Sequence, residues 1–266
     1  MSWSQAFATL QKAIESASNG DAVWVAAGTY YPTKDSTGNA TPSDPRTKTF
    51  YITDDIEIYG GFNGTETMLD QRDWVANPTI LDGNIGDPFD PLDNTYHVVY
   101  FENVTGAARL DGFTIRNGFN NGPLNPHGAG ILMTNADPVI AHCWFIDNAQ
   151  ENPGIVGGGA MGILNTSNPY VVNCVFTNNT AIFGGAVYTE NSNPNFVNCT
   201  SYQNQAEVAG FLYLESGTAS VTNGIHWEDV SFPTFDSNTG SGLTVTYTLT
   251  SDAVTGTGNI TPTSPG

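Results

Sequence analysis

Short stretches of alternating apolar and polar residues, punctuated by Asn, Gly and Pro, repeat through the middle of the chain. DPVIAHCWFIDN (137–148), NPYVVNCVFTNN (168–179) and NPNFVNCTSYQN (193–204) share one frame, in which Asp/Asn-Pro leads to a cysteine and Asn follows five residues after it. Cys143, Cys174 and Cys199 stand 31 and 25 residues apart. The frame runs back to LDGFTIRN, with Gly112 in the cysteine position and Asn117 five on, and forward to ASVTNGIHWED, with Gly224 and Asp229. GAGI (128–131), GGAM (158–161) and GGAV (184–187) open the short strands between. A period of 25 to 31 residues built from β-branched and aromatic runs predicts stacked β coils. The Pro and Gly content excludes helical repeats.

Strand parity then assigns the faces. If Cys143 points inward, so does Phe145, while Trp144 and Ile146 face out, and Cys174 is buried with Phe176 in the same way. Coils about 4.8 Å apart place equivalent residues over one another, which gives a cysteine ladder and an aromatic ladder. Asn117, Asn148, Asn179 and Asn204 fall at one turn. A buried amide there bonds the coils above and below, and Asn tolerates the left-handed backbone.

The first half carries strand-like pieces at 21–31, 49–62, 78–83 and 96–103, interrupted by loops at 32–48 and 84–95. SWSQAFATLQKAIESASNG predicts one amphipathic helix with a Ser2/Gln5 capping box, Phe7, Leu10 and Ile14 on one stripe, and Gly20 as a stop. Such a helix covers the open end of a solenoid. GLTVTYTLTSDAVTGTGNI predicts a strand pair that closes the other end. The expected organisation is one all-β domain over 1–266: cap helix 1–20, loop-rich coils 21–110, regular coils 111–230 and C-terminal strands 231–266.

WVAAGTYYPT, YGGFNGTET, RDWVANPTILDGNIGD and the repeated Gly-Gly-Ala and Phe-x-x-Asn motifs resemble those of secreted bacterial right-handed parallel β-helix proteins, the pectate-lyase-like superfamily. GGAM/GGAV and FIDN/FTNN are also similar to the repeats of polymorphic outer-membrane adhesins. The resemblance covers nearly the whole chain and implies a right-handed, single-stranded parallel β-helix, secreted or displayed on a bacterial surface. It carries activity weakly, because the matching residues build turns and core.

Charge narrows the partners. The chain has 7 Lys+Arg against 26 Asp+Glu, a formal charge of −19, so nucleic acid is excluded and acidic glycans are disfavoured. No apolar run is long enough to cross a bilayer as a helix. An acidic, Lys-poor, Asn- and Gly-rich chain suits export, and three cysteines cannot all pair, so buried free thiols are expected.

Catalytic candidates are sparse. A polysaccharide hydrolase or lyase could draw on Asp54, Asp55, Asp87 and Asp90 in the first-half loops, with Arg116 as a base or anion contact. A solvated surface arginine is the simpler reading of Arg116. Asp87, Asp90 and Asp93 could hold Ca²⁺ through carboxylate oxygens, although their spacing matches no calcium-loop motif; otherwise no cofactor is called for. Outward aromatics stand out more: Trp144 on one coil, with Tyr202 and Trp227 on neighbouring coils of one face. The reading reached is a monomeric surface module binding a glycan or a partner protein. A polysaccharide-active enzyme and a structural filament or phage-fibre component stand as the alternatives.

Overall fold

The computed structural model describes residues 3–122, 125–151, 157–227, 229, 233–238 and 240–261. Its strands form three long parallel sheets wound as a right-handed β-helix, and Phe119–Asn120 and Ala149–Gln150 form a further two-stranded parallel pair. The first sheet has eight strands, from Ala22–Ala26 through Glu57–Phe62, Arg109–Asp111 and Val139–Ala141 to Gly242–Thr246. Seven strands make the second, from Phe50–Ile52 to Phe235–Ser237, and eight the third, from Gly28–Tyr30 to Leu249–Thr250.

Neighbouring coils pair without a slip through the regular region, so inward columns are continuous. On the first sheet Leu110, Ile140, Val171, Phe196 and Val221 lie level, and all are fully buried. On the third sheet Ile115, Phe145 and Phe176 stack, the two phenyl rings 4.9 Å apart and nearly parallel. The cysteines form their expected ladder as free, buried thiols. Burial pushes the Cys174 thiol up, which keeps it protonated and inert. Cys174→Ala removes one packed sulfur and should cost about 1 kcal/mol, read as a small drop in melting temperature.

Corners between sheets are made by single residues in the left-handed region. One row is His142, Asn173, Asn198 and Asn223, with φ between 51° and 55°, and a second is Asp147, Asn178 and Gln203. The buried asparagine ladder lies one residue beyond that second row. Asn148 Nδ2 donates to Asn179 Oδ1 at 3.0 Å, Asn179 Nδ2 to Asn204 Oδ1 at 2.9 Å, and Asn204 Nδ2 to Asp229 Oδ1 at 2.9 Å. Ladder and left-handed turn are thus two adjacent positions, not one. Asn117 also drops out of the ladder: Phe113 lies level with Cys143, so Asn117 sits at the corner beside Asp147, and Gly118 N donates to Asn148 Oδ1. The misleading cue was Gly112, whose φ of 82° marks the corner that His142 occupies one coil later.

Both ends differ from the expected caps. The helix spans only Leu10–Ser16, and Thr9, not Ser2, caps it by accepting from Lys12 N. Ser2 lies outside the described residues, and Gln5 ends a 3-10 turn, Trp3–Gln5, that lays Trp3 against Trp24 and Phe62. Leu10 and Ile14 enter the core as expected, while Phe7 stays 40% exposed. At the far end Gly242–Thr246 and Leu249–Thr250 do not pair with each other. They extend the first and third sheets as the last coil. Among the described residues no helix is long and apolar enough to cross a membrane.

Candidate functional site

The outward face of the third sheet gathers the aromatic residues singled out from the sequence. Tyr202 and Trp227 are direct cross-strand partners, and Trp144 stands in the other outward row of the same sheet. One row reads Trp144, Val175, Thr200, Ile225; the other reads Ile146, Thr177, Tyr202, Trp227. Trp144 is 47% exposed, Tyr202 40% and Ile225 48%, whereas the inward residues between them are fully buried. Both corner rows border this face and are held left-handed by the fold, so exposed amides of Asn173, Asn198, Asn223, Asn178 and Gln203 flank the rings. The exposed rings of Trp144 and Tyr202 thus lie between two rows of amides, of which Asn198 bonds Asn173 and Asn173 bonds His142 along the first.

The loop carboxylates have local duties. Asp55 accepts from Thr105 N and Oγ1 at 2.6 and 2.7 Å and ties two coils together, while the Asp54 side chain is exposed. Asp90 caps a 3-10 turn by accepting from Leu92 N, Asp87 accepts from Phe89 N, and Asp93 accepts from Asp87 N. Among the described residues no three acidic, His or Cys side chains are grouped so as to hold a metal ion. Arg116 points outward, as parity required, and its Nε bonds Asp82 at 2.8 Å.

Three clusters were not anticipated. Asp111, 1% exposed, takes Arg72, Arg109 and His142 at once and pins the long 63–78 excursion to the coils. His142 also packs against Trp74, the ring planes tilted by 35°, and reaches Asn173 through Nε2. No repeat signalled this cluster, because Arg72 comes from outside the periodic region.

The second-sheet outward face carries Tyr51, Tyr100, Tyr188 and Tyr213 beside Glu102, Glu190 and Glu215. VYFE, VYTE and LYLE were its legible signal. Tyr51 and Tyr100 both donate to Glu102, and burial raises the Tyr51 phenol well above its ordinary range. Tyr188 and Tyr213 are covered: His127 stacks on Tyr188 at 4.4 Å and Phe183 lies over Tyr213 at 4.9 Å. This face is a second, external core rather than an open surface.

Ser201, His226 and Asp229 have the composition of a nucleophile relay but not its order. In a relay the imidazole stands between hydroxyl and carboxylate. Here Ser201 stands between, 2.5 Å from Asp229 Oδ2 and 2.8 Å from His226 Nδ1. Ser201 and His226 are fully buried inside the coils, Asp229 nearly so, with His226 wedged against Phe211 and Phe235. Burial lowers His226 to about 3 and raises Asp229. The group is the polar end of the core.

Residues 92–259 match a family model described as the right handed beta helix region. No curated protein and no solved structure matches the chain.

Proposed function

The chain belongs to the right-handed β-helix family, and on that footing we propose that it is a binding module of the bacterial cell surface or exterior whose third-sheet face takes a neutral glycan. The observation that carries this reading is the Tyr202 and Trp227 pair, in register on a rigid sheet, with Trp144 in the adjoining row and amide corners on both sides. Sugar rings bury their C–H faces against aromatic rings, and their hydroxyls need donors and acceptors at the rim. A net charge of −19 favours a neutral saccharide over a uronate polymer.

The test combines a glycan array with reducing-sugar and unsaturated-uronate assays. Saturable binding of neutral oligosaccharides without turnover is expected. Trp144→Ala and Trp227→Ala should each weaken it about tenfold, the loss of roughly 1.4 kcal/mol of stacking. Turnover of any polysaccharide would overturn the binding-only reading, and capture of protein but no glycan would replace the ligand class.

A further inference from the structure

The two ends of the solenoid are closed by different devices. At the C-terminal end the segment 257–261 folds back over the last coil: Ile260 N donates to Thr248 O at 2.9 Å, Thr250 N to Ile260 O at 3.1 Å and Asn259 Nδ2 to Val245 O at 2.9 Å. On the first sheet these bonds engage Val245 O, while the backbone groups of Leu243, on the open side of Gly242–Thr246, have no hydrogen bond among the described residues. At the N-terminal end the helix Leu10–Ser16 covers the core but not the first strand.

Ala22–Ala26 is the terminal strand of its sheet, paired on one side only. Glu57 N donates to Asp21 O and Val23 lies opposite Ile58, so Asp21, Val23 and Val25 turn their backbone groups toward the sheet. Ala22 and Trp24 therefore turn theirs to the open side, where nothing among the described residues is hydrogen-bonded to them. A groove of about 840 Å³ runs along this edge. Leu10, Ala13, Val23 and Val25 line it toward the core, and Trp3 and Trp24 line its outer side. The charged residues on its wall are Asp21, which is exposed, and Glu66, which is buried with its carboxylate accepting from Asn63, Gly64 and Thr65 N.

We propose that this groove takes an extended peptide from another protein, which adds a further parallel strand to Ala22–Ala26, with apolar residues at alternate positions and basic residues at its ends. An unpaired strand edge supplies main-chain hydrogen bonds, and the two apolar walls read alternate side chains. The exposed Asp21 carboxylate in the groove, on a chain of charge −19, favours a cationic peptide. A second copy is a poorer occupant, because it brings an equal negative charge.

The probe is a synthetic peptide, Lys-Thr-Val-Thr-Val-Thr-Lys, and a twin N-methylated at alternate amides so that its side chains remain but its pairing edge does not. Fluorescence anisotropy on the full chain should show saturable binding of the first, at least about tenfold weaker for the twin. Binding should also weaken severalfold in Asp21→Asn, which keeps the acceptor for Ser18 N but loses the charge. Amide exchange at Trp24 should slow on binding. Equal binding of the two peptides would overturn strand addition in favour of a side-chain pocket. No saturable binding, or Trp24 protection that grows with protein concentration alone, would also overturn the proposal.

Discussion

Asn179→Ala should cost about 3–5 kcal/mol and shift thermal and urea unfolding midpoints strongly, although the side chain touches no ligand face. The amide is fully buried and serves both neighbouring coils. Its Oδ1 accepts from Asn148 N and Nδ2, and its Nδ2 donates to Phe145 O, Thr177 O and Asn204 Oδ1. Truncation leaves buried donors and carbonyls without partners, where water cannot follow. Asn178→Ala, at the exposed corner next to it, should cost only about 1–2 kcal/mol, the strain of a left-handed alanine. Similar losses at the two positions would contradict the division of labour between corner and ladder. Asp229 can close the ladder because a terminal member must only accept, and its Oδ1 does so from Asn204 N and Nδ2.

Stability should also fall steeply in acid. Burial lowers His226 to about 3 and His127 to about 4, and His97 is likewise lowered to about 4, against an ordinary value near 6.5. These rings are neutral in the folded state and protonate first in the unfolded one. Their contribution is complete above about pH 6.5 and is lost as the pH falls toward 4 and then 3. Each of His127 and His226 should remove roughly 2–3 kcal/mol between about pH 6.5 and 4.5. Asp229 acts with the opposite sign: its raised pKa relieves a cost as the pH drops toward the ordinary carboxylate range, so it offsets a part. Chemical denaturation across this range should show the slope, and His226→Leu should flatten it. An unchanged slope in His226→Leu would show that this ring is not the source.

Much of the coil architecture could be read before any coordinates, because each unit repeats its own physical problem. Cys143, Cys174 and Cys199 face inward in register, Phe145 stacks on Phe176, and Asn148, Asn179 and Asn204 bond in series. The errors fell where one sequence cue served two positions. Gly112 looked like a small core residue and is a corner, which moved Asn117 by one place. The helix stripe from Phe7 was real only from Leu10, since the stretch before it is bent to seat Trp3 on Trp24 and Phe62.

For the site, the pairing of Tyr202 with Trp227 was legible because strand parity fixes which residues share a row. Period-based reading could not place Asp55 or Asp90, whose partners lie in loops outside the repeat. It also passed over the tyrosine and glutamate rows of the second sheet, and only the packing of His127 and Phe183 shows those tyrosines to be covered.

The most direct test of the central claim is chemical-shift mapping of the chain with the tightest neutral oligosaccharide from the array. Perturbations should concentrate on Trp144, Tyr202 and Trp227 and on the amides of Asn173, Asn198 and Asn223. Shifts centred on Tyr51, Tyr100 and Glu102, or on the loop holding Asp87 and Asp90, would contradict it.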